Sequence, residues 1–207
     1  MSELREREKR LAAEAAAGLV ESGMTVGLGT GTTVAYLLPA LASRRLSIRC
    51  IATSPHTYTE AVSLGLRVED FDSLDRLDIA IDGADQVASD RWLVKGGGGA
   101  HTREKIVAAA ADRFVVVASS DKEVERLSPP VPLELLSYGL PATLLALGAA
   151  RVRAGTPPSP DGGVIADWYE PFDDPAALAA RLRSVPGVVS DGLFEPALVS
   201  DVIVGRA

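Results

Sequence analysis

The sequence predicts an α/β protein: a mostly parallel sheet covered on both faces, followed by a second, smaller α+β domain. Three observations carry this. Short apolar runs alternate with helical stretches through residue 118. One of those runs, residues 114–118, is apolar throughout, as a strand buried on both faces must be. Beyond Ser128-Pro129-Pro130 the order changes to strand, helix, strand, strand, helix, strand.

Taken in chain order, residues 3–21 are rich in Ala, Glu, Arg and Leu and predict a helix that ends near Gly23. Residues 25–29 read as a short strand, 30–33 as a turn and 34–42 as a helix. A strand over 46–53 and a helix around 59–64 follow. Residues 66–71 and 77–81 read as strands, the second stopping at Asp82-Gly83. Residues 92–94 are extended, and a glycine run then leads into a helix over 102–112. The resulting sheet is Rossmann-like. In the second region, strands at 131–137, 150–154, 163–168 and 187–194 and helices at 141–148 and 174–184 give a ferredoxin-like βαββαβ domain. The apolar stretch 198–204 is expected to return to the first domain. The expected domains are therefore 1–128 with 196–207, and 129–195.

Composition narrows the function. Apolar residues make up 47% of the 207 and charged residues 24%, the profile of a globular protein. A net charge of −7 argues against a nucleic-acid partner, because phosphate backbones reward basic faces. A small anionic substrate stays possible where lysines cluster locally. One cysteine, Cys50, and two histidines, His56 and His101, offer no usual zinc ligand set, so no metal is expected. Glu3, Glu6, Glu8 and Glu14, set among the basic residues of the amino terminus, argue against a signal peptide. No apolar stretch approaches the ~20 residues needed to span a bilayer. A cytoplasmic protein without membrane partners is expected.

Open parallel sheets collect ligands beyond the carboxyl ends of their strands. There the sequence places Thr30-Gly31-Thr32-Thr33, Thr53-Ser54, Asp82-Gly83-Ala84-Asp85 and Ser119-Ser120-Asp121-Lys122. The first loop can cradle an anion on backbone N–H groups or serve only as a tight turn. It is not a dinucleotide fingerprint: Thr32 stands where the third glycine belongs, and residues 48–53 hold no acidic ribose ligand. Asp82 and Asp85 suit acid–base work on hydroxyls, yet Asp and Gly are also ordinary turn residues. Lys95 precedes Gly96, Gly97, Gly98 and Gly99, a run that favours close backbone approach to a ligand. Glu104 falls in a helix's first turn, where the dipole alone would welcome it. His101 is expected to be exposed. With 17 arginines against four lysines, the placement of Lys95, Lys105 and Lys122 at or beside these loops is suggestive.

As a set, these motifs resemble the ribose-5-phosphate isomerase family, type A. The resemblance runs through Gly27-Leu-Gly-Thr-Gly-Thr-Thr, Asp82-Gly-Ala-Asp-Gln and Lys95-Gly-Gly-Gly-Gly-Ala-His-Thr-Arg-Glu-Lys105. It continues through Val131-Pro-Leu-Glu134 and Pro186-Gly-Val-Val-Ser-Asp-Gly-Leu-Phe194, and so covers nearly the whole chain. It implies an aldose–ketose isomerase of the non-oxidative pentose phosphate pathway, working through an enediolate without metal or cofactor. Glu104 would move the proton between C1 and C2, Asp82 and Asp85 would handle ring opening and hydroxyls, and Lys95 would face the developing oxyanion. Thr30, Gly31, Thr32, Thr33, Gly83, Ala84, Gly96, Gly97 and Gly98 would line the sugar, with Lys9 and Lys122 on its phosphate. The chain departs from the family's pattern at Gln86, Gly99, His101, Pro55 and His56, in the linker before Val131 and in a short proline-rich hairpin over 154–163.

The competing readings are a non-catalytic sugar-phosphate sensor and a CoA-transferase-like relative. A sensor has no need of the Glu104, Asp82 and Asp85 set, and a CoA transferase needs a larger chain. The expected partners are a small sugar phosphate and further copies of the chain, in a homodimer or homotetramer.

Overall fold

The computed structural model describes residues 2–207. Its elements, in chain order, are α1 (Ser2–Ala17), β1 (Thr25–Leu28), α2 (Val34–Ser43), β2 (Arg49–Ala52), α3 (Pro55–Ser63), β3 (Ile79–Gly83), β4 (Gln86–Ala88) and β5 (Leu93–Val94). Then come α4 (His101–Ala110), β6 (Phe114–Ser119), β7 (Glu123–Val124), β8 (Val131–Leu135), α5 (Leu140–Leu147), β9 (Ala150–Val152) and β10 (Val164–Trp168). The series closes with α6 (Pro175–Arg183), β11 (Val188–Asp191), β12 (Leu193–Phe194) and β13 (Asp201–Gly205).

Two compact units result. The first comprises Met1–Ala84, Arg103–Glu123 and Ala197–Ala207, and the second Asp85–Thr102 and Val124–Pro196. The first unit is built on a five-stranded sheet in the order β13-β6-β3-β1-β2, with every pair parallel. All six residues of β6 are buried. On one face, Ala12, Ala13 and Ala16 of α1 and Leu37, Leu38 and Leu41 of α2 cover Val26, Leu28, Ile79, Ile81, Val115 and Val117. Each large aliphatic side chain buried there stabilises the fold by ~1.5–3 kcal/mol. Elsewhere in this unit Val107 of α4 packs against Gly27, where a Cβ would strike it.

In the second unit, the element order β8, α5, β9, β10, α6, β11 gives a four-stranded antiparallel sheet in the order β11-β8-β10-β9. This is the ferredoxin-like arrangement expected. Its core gathers Val131, Leu133, Leu147, Ala166, Trp168, Leu178 and Leu182. Residues 85–102 cluster with this unit because β4 and β5 pair with β12 in a third sheet, ordered β12-β5-β4-β7.

Three expectations are corrected. Residues 66–71 form no strand: Val68 alone bridges Cys50 in parallel, and a 3-10 turn follows at Phe71–Ser73. Arg67, Glu69 and Asp70 leave too little apolar alternation there to sustain a strand. The strand expected over 187–194 is two strands. The chain turns at Gly192, whose N–H donates to the Pro132 carbonyl (2.7 Å) and whose carbonyl accepts from Lys95 N–H (2.8 Å). The helix expected around 59–64 starts at Pro55, because Ser54 accepts from Thr57 N–H (3.2 Å) and Pro55 suits a first helical turn.

Candidate active site

Because β1, β3 and β6 run parallel, their carboxyl ends share one edge of the first unit's sheet. Asp82 is buried at the end of β3, and its Oδ1 accepts from the N–H of Thr30 (3.0 Å) and of Gly83 (2.7 Å). Gly29 makes this possible, since a Cβ on it would run into the Asp82 carboxyl group. Below the loop, the Thr30 and Thr53 hydroxyls lie 2.8 Å apart, and Thr57 Oγ1 donates to the Gly29 carbonyl (2.9 Å). The loop is thereby pinned while Gly31 and Thr32 remain exposed and Thr33 half-buried. Thr33 makes no side-chain cap on α2; the loop itself closes the helix start, with Ala35 N–H donating to the Gly31 carbonyl and Tyr36 N–H to the Thr33 carbonyl, each at 3.1 Å. Glu104 is buried in the first turn of α4.

In the second unit, Asp85 reaches into the glycine run: its Oδ2 accepts from Gly97 N–H (2.8 Å). Gly96 has φ +112° and lies so close to His101 and Pro132 that a Cβ would clash with both. Lys95 is buried, with Nζ 5.3 Å from the centroid of the Phe194 ring, a cation–π contact. Gly97 and Gly98 are exposed; Gly99 is buried against Ile165. His101 overturns expectation: it is fully buried as the first residue of α4, where the tight Gly96 backbone leaves room for its ring.

The lysines divide. Lys9 Nζ donates to Glu6 Oε1 (2.7 Å), and Tyr36 donates to the other oxygen of that carboxylate (2.8 Å). Together they hold Glu6 below the usual carboxylate range. Lys122 is half-buried in the turn after β6. Beside it the Ser119 hydroxyl, then the Arg5 and Lys122 cations, lower the Asp121 pKa. Lys105 is half-buried on α4.

The structure thus joins Thr30 to Asp82 and Asp85 to Gly97 directly, whereas Lys9 it joins to Glu6. It also adds residues that sequence reasoning gave no role. Glu8 is buried and accepts from Ser120 N–H (3.0 Å) and Ser120 Oγ (2.8 Å). Its spacing with Ala12 and Ala16 on one helix face was the available signal. Glu134 is buried in β8, accepting from the Ser159 hydroxyl (2.5 Å) and from the Thr102 hydroxyl. A glutamate inside the apolar run 131–135 could have revealed it.

Among the described residues, no group of three or more His, Cys, Asp or Glu side chains is placed to hold a metal ion. Among the same residues, no helix is long and apolar enough to cross a membrane.

Known proteins match this arrangement. The family model for ribose 5-phosphate isomerase A (phosphoriboisomerase A) matches residues 49–207. Ribose-5-phosphate isomerase A of Methanosarcina acetivorans is 42% identical, over 96% of this chain and 90% of that protein. The structure of ribose 5-phosphate isomerase A from Methanocaldococcus jannaschii superposes with TM-score 0.90 at 34% identity, covering 96% of this chain and 94% of that one. The enzyme of the same name from Neisseria gonorrhoeae gives TM-score 0.93 at 30% identity, covering 98% and 93%.

Proposed function

The chain belongs to the ribose 5-phosphate isomerase A family, and on that premise we propose how its residues divide the work of the reaction. It is an aldose–ketose isomerase of the pentose phosphate pathway, interconverting D-ribose 5-phosphate and D-ribulose 5-phosphate. The observation that carries the assignment of roles is burial. Asp82, Lys95 and Glu104 are 3%, 2% and 4% exposed, at a strand end, a glycine loop and a helix start. Ionisable groups are costly to bury, and folds keep them where chemistry uses them.

Asp82 and Asp85 exchange protons with the anomeric hydroxyl and ring oxygen, opening the furanose to the aldehyde. The two amides on Asp82 Oδ1 fix that carboxylate's orientation for the task. Glu104 then takes the C2 proton, and the electron pair moves through C1 to the carbonyl oxygen, giving an enediolate. Returning the proton to C1, with a proton passing between the two oxygens, completes the ketose. Lys95, at the head of the glycine loop Gly96 to Gly98, stabilises the negative oxygen as it forms. Thr30, Gly31, Thr32 and Thr33, with Gly83 and Ala84, hold the sugar phosphate, and Lys9 and Lys122 supply positive charge for its phosphate. In that reading the phosphate competes with Glu6, which accepts from Lys9 Nζ at 2.7 Å, for the ammonium.

We further propose a symmetric homodimer or homotetramer working in the cytoplasm, with no nucleic-acid partner. Exposed Leu136, Tyr138, Leu145 and Val189 on the second unit support self-association, and the net charge of −7 speaks against nucleic acid. Purified protein incubated with ribose 5-phosphate and EDTA should form the ketose. Absence of ketose defeats the reading, and activity that returns only with one divalent ion defeats its metal-free form. Sedimentation showing only a 21.6 kDa monomer at micromolar concentration contradicts the assembly.

A further inference from the structure

Arg153, just beyond β9, takes no part in the chemistry above, yet all three nitrogens of its guanidinium are engaged within the second unit. One edge meets Asp167 in a bidentate pair: Nε to Oδ2 at 2.8 Å and Nη2 to Oδ1 at 2.6 Å. The remaining nitrogen, Nη1, donates to two backbone carbonyls, Gly96 O and Gly97 O, each at 3.0 Å. Asp167 is buried in β10, so the fork is seated on a rigid strand. The Asp167 carboxylate holds the guanidinium pKa above its usual value, so the charge is permanent.

Two carbonyls gripped from one side fix two peptide planes. The Gly96–Gly97 plane carries Arg153 on its carbonyl and Asp85 on its N–H, opposite charges at its two ends. The next plane, Gly97–Gly98, is trans, so the Gly98 N–H points away from the carbonyl that Arg153 holds. Gly97 and Gly98 are exposed, so that donor is reachable by a ligand. A cation on the carbonyl draws electron density from the amide and strengthens its N–H as a donor.

We propose that Arg153, seated on Asp167, is a positioning residue that grips the glycine loop by its carbonyls and presets the Gly98 N–H as a donor to the oxyanion formed on the substrate. The proposal rests on the isomerase reading above. It accounts for a glycine run that would otherwise be too pliable to hold a donor in place, because a preset dipole needs no reorganisation when charge appears. Lysine cannot substitute, since a single ammonium cannot span a carboxylate and two carbonyls in one plane.

The test uses Arg153→Lys, Arg153→Gln and Asp167→Asn in the full-length protein. For the Lys variant, kcat is expected to fall roughly tenfold to a hundredfold, below the ~10²–10³ seen when an oxyanion donor itself is removed. KM should stay within about twofold. Affinity for a phosphorylated hydroxamic acid that mimics the enediolate should fall by the same factor as kcat/KM, while affinity for inorganic phosphate is unchanged. Hydrogen exchange at Gly97 should accelerate while β10 amides keep their protection. If Arg153→Gln fails to fold, the Lys and Asn variants carry the same readouts. Unchanged kcat in the Lys variant, or equal losses of mimic and phosphate affinity, overturns the proposal. Wild-type protein inactive on ribose 5-phosphate would defeat the isomerase reading instead, and Gly97 exchange would still decide whether Arg153 grips the loop.

Discussion

Gly29 and Asp82 share one space: the carboxyl group of Asp82 sits where a Cβ on Gly29 would have to go. The glycine at the end of β1 is thus a requirement of its neighbour at the end of β3, and the loop's sequence is coupled to the aspartate's position. Gly29→Ala is expected to displace Asp82 and break its bonds from Thr30 and Gly83. Overpacking of this kind costs about 1–3 kcal/mol of stability. A carboxylate moved by about 1 Å can cost ~10²-fold in rate. Thermal melts and kcat measured on the same preparation check both, and a variant with unaltered kcat removes Asp82 from the chemistry.

Glu104→Gln keeps the shape of the side chain and removes its ability to take a proton. Turnover is expected to fall by about 10²–10⁴-fold, or further, with substrate affinity nearly unchanged. Single-turnover kinetics and equilibrium binding separate the two quantities. More than a tenth of wild-type turnover remaining sinks the assignment of Glu104 as base.

Lysine substitutions should sort by role. Phosphate contacts are made alike in ground and transition states, so Lys9→Ala and Lys122→Ala should raise KM far more than they lower kcat. Lys95→Ala should lower kcat, and Lys95→Arg should not restore it, because a planar guanidinium does not fit beside four glycines and the Phe194 ring. Lys105→Ala should matter least. The structure adds a further case: Glu6→Gln removes the counter-ion of Lys9 and is expected to lower KM. Steady-state kinetics on the set decides, and a Lys95 variant that changes only KM reassigns that residue.

Burial raises the Cys50 thiol pKa to about 12. At pH 8 only about 10⁻⁴ of it is thiolate, the reactive form. A disulfide reagent should therefore leave the native protein untouched for hours and titrate one thiol per chain after urea is added. Rapid reaction of the native protein contradicts the buried placement of β2.

How far the sequence could be read depended on the range of the forces involved. β6 was legible because an unbroken apolar run has one use, burial on both faces. The turns at Thr30 to Thr33 and at Asp82 to Asp85 were legible as loops at the carboxyl ends of strands, because the apolar runs before them end there. Gly192 was not read as the point where one strand becomes two, since the break answers to Lys95 and Pro132, distant in sequence. His101 misled for a related reason: its burial depends on the backbone conformation of Gly96, which residue type alone does not report. Glu134 and Arg153 were missed because each acts through partners on other elements.

The place of β13 at the edge of the parallel sheet bears on how the protein is made. Asp201 to Gly205 pair with Val115 to Ser119, so one flank of β6 has no partner strand until 82 further residues have been synthesised. At ~5–20 residues per second that interval is roughly 4–16 s. During it the ribosome-bound chain carries an open edge of Val-rich backbone, the kind of surface that recruits other strands. The first unit's sheet is thus incomplete for seconds after β6 is made, and a nascent chain of this kind is a natural client for holding chaperones.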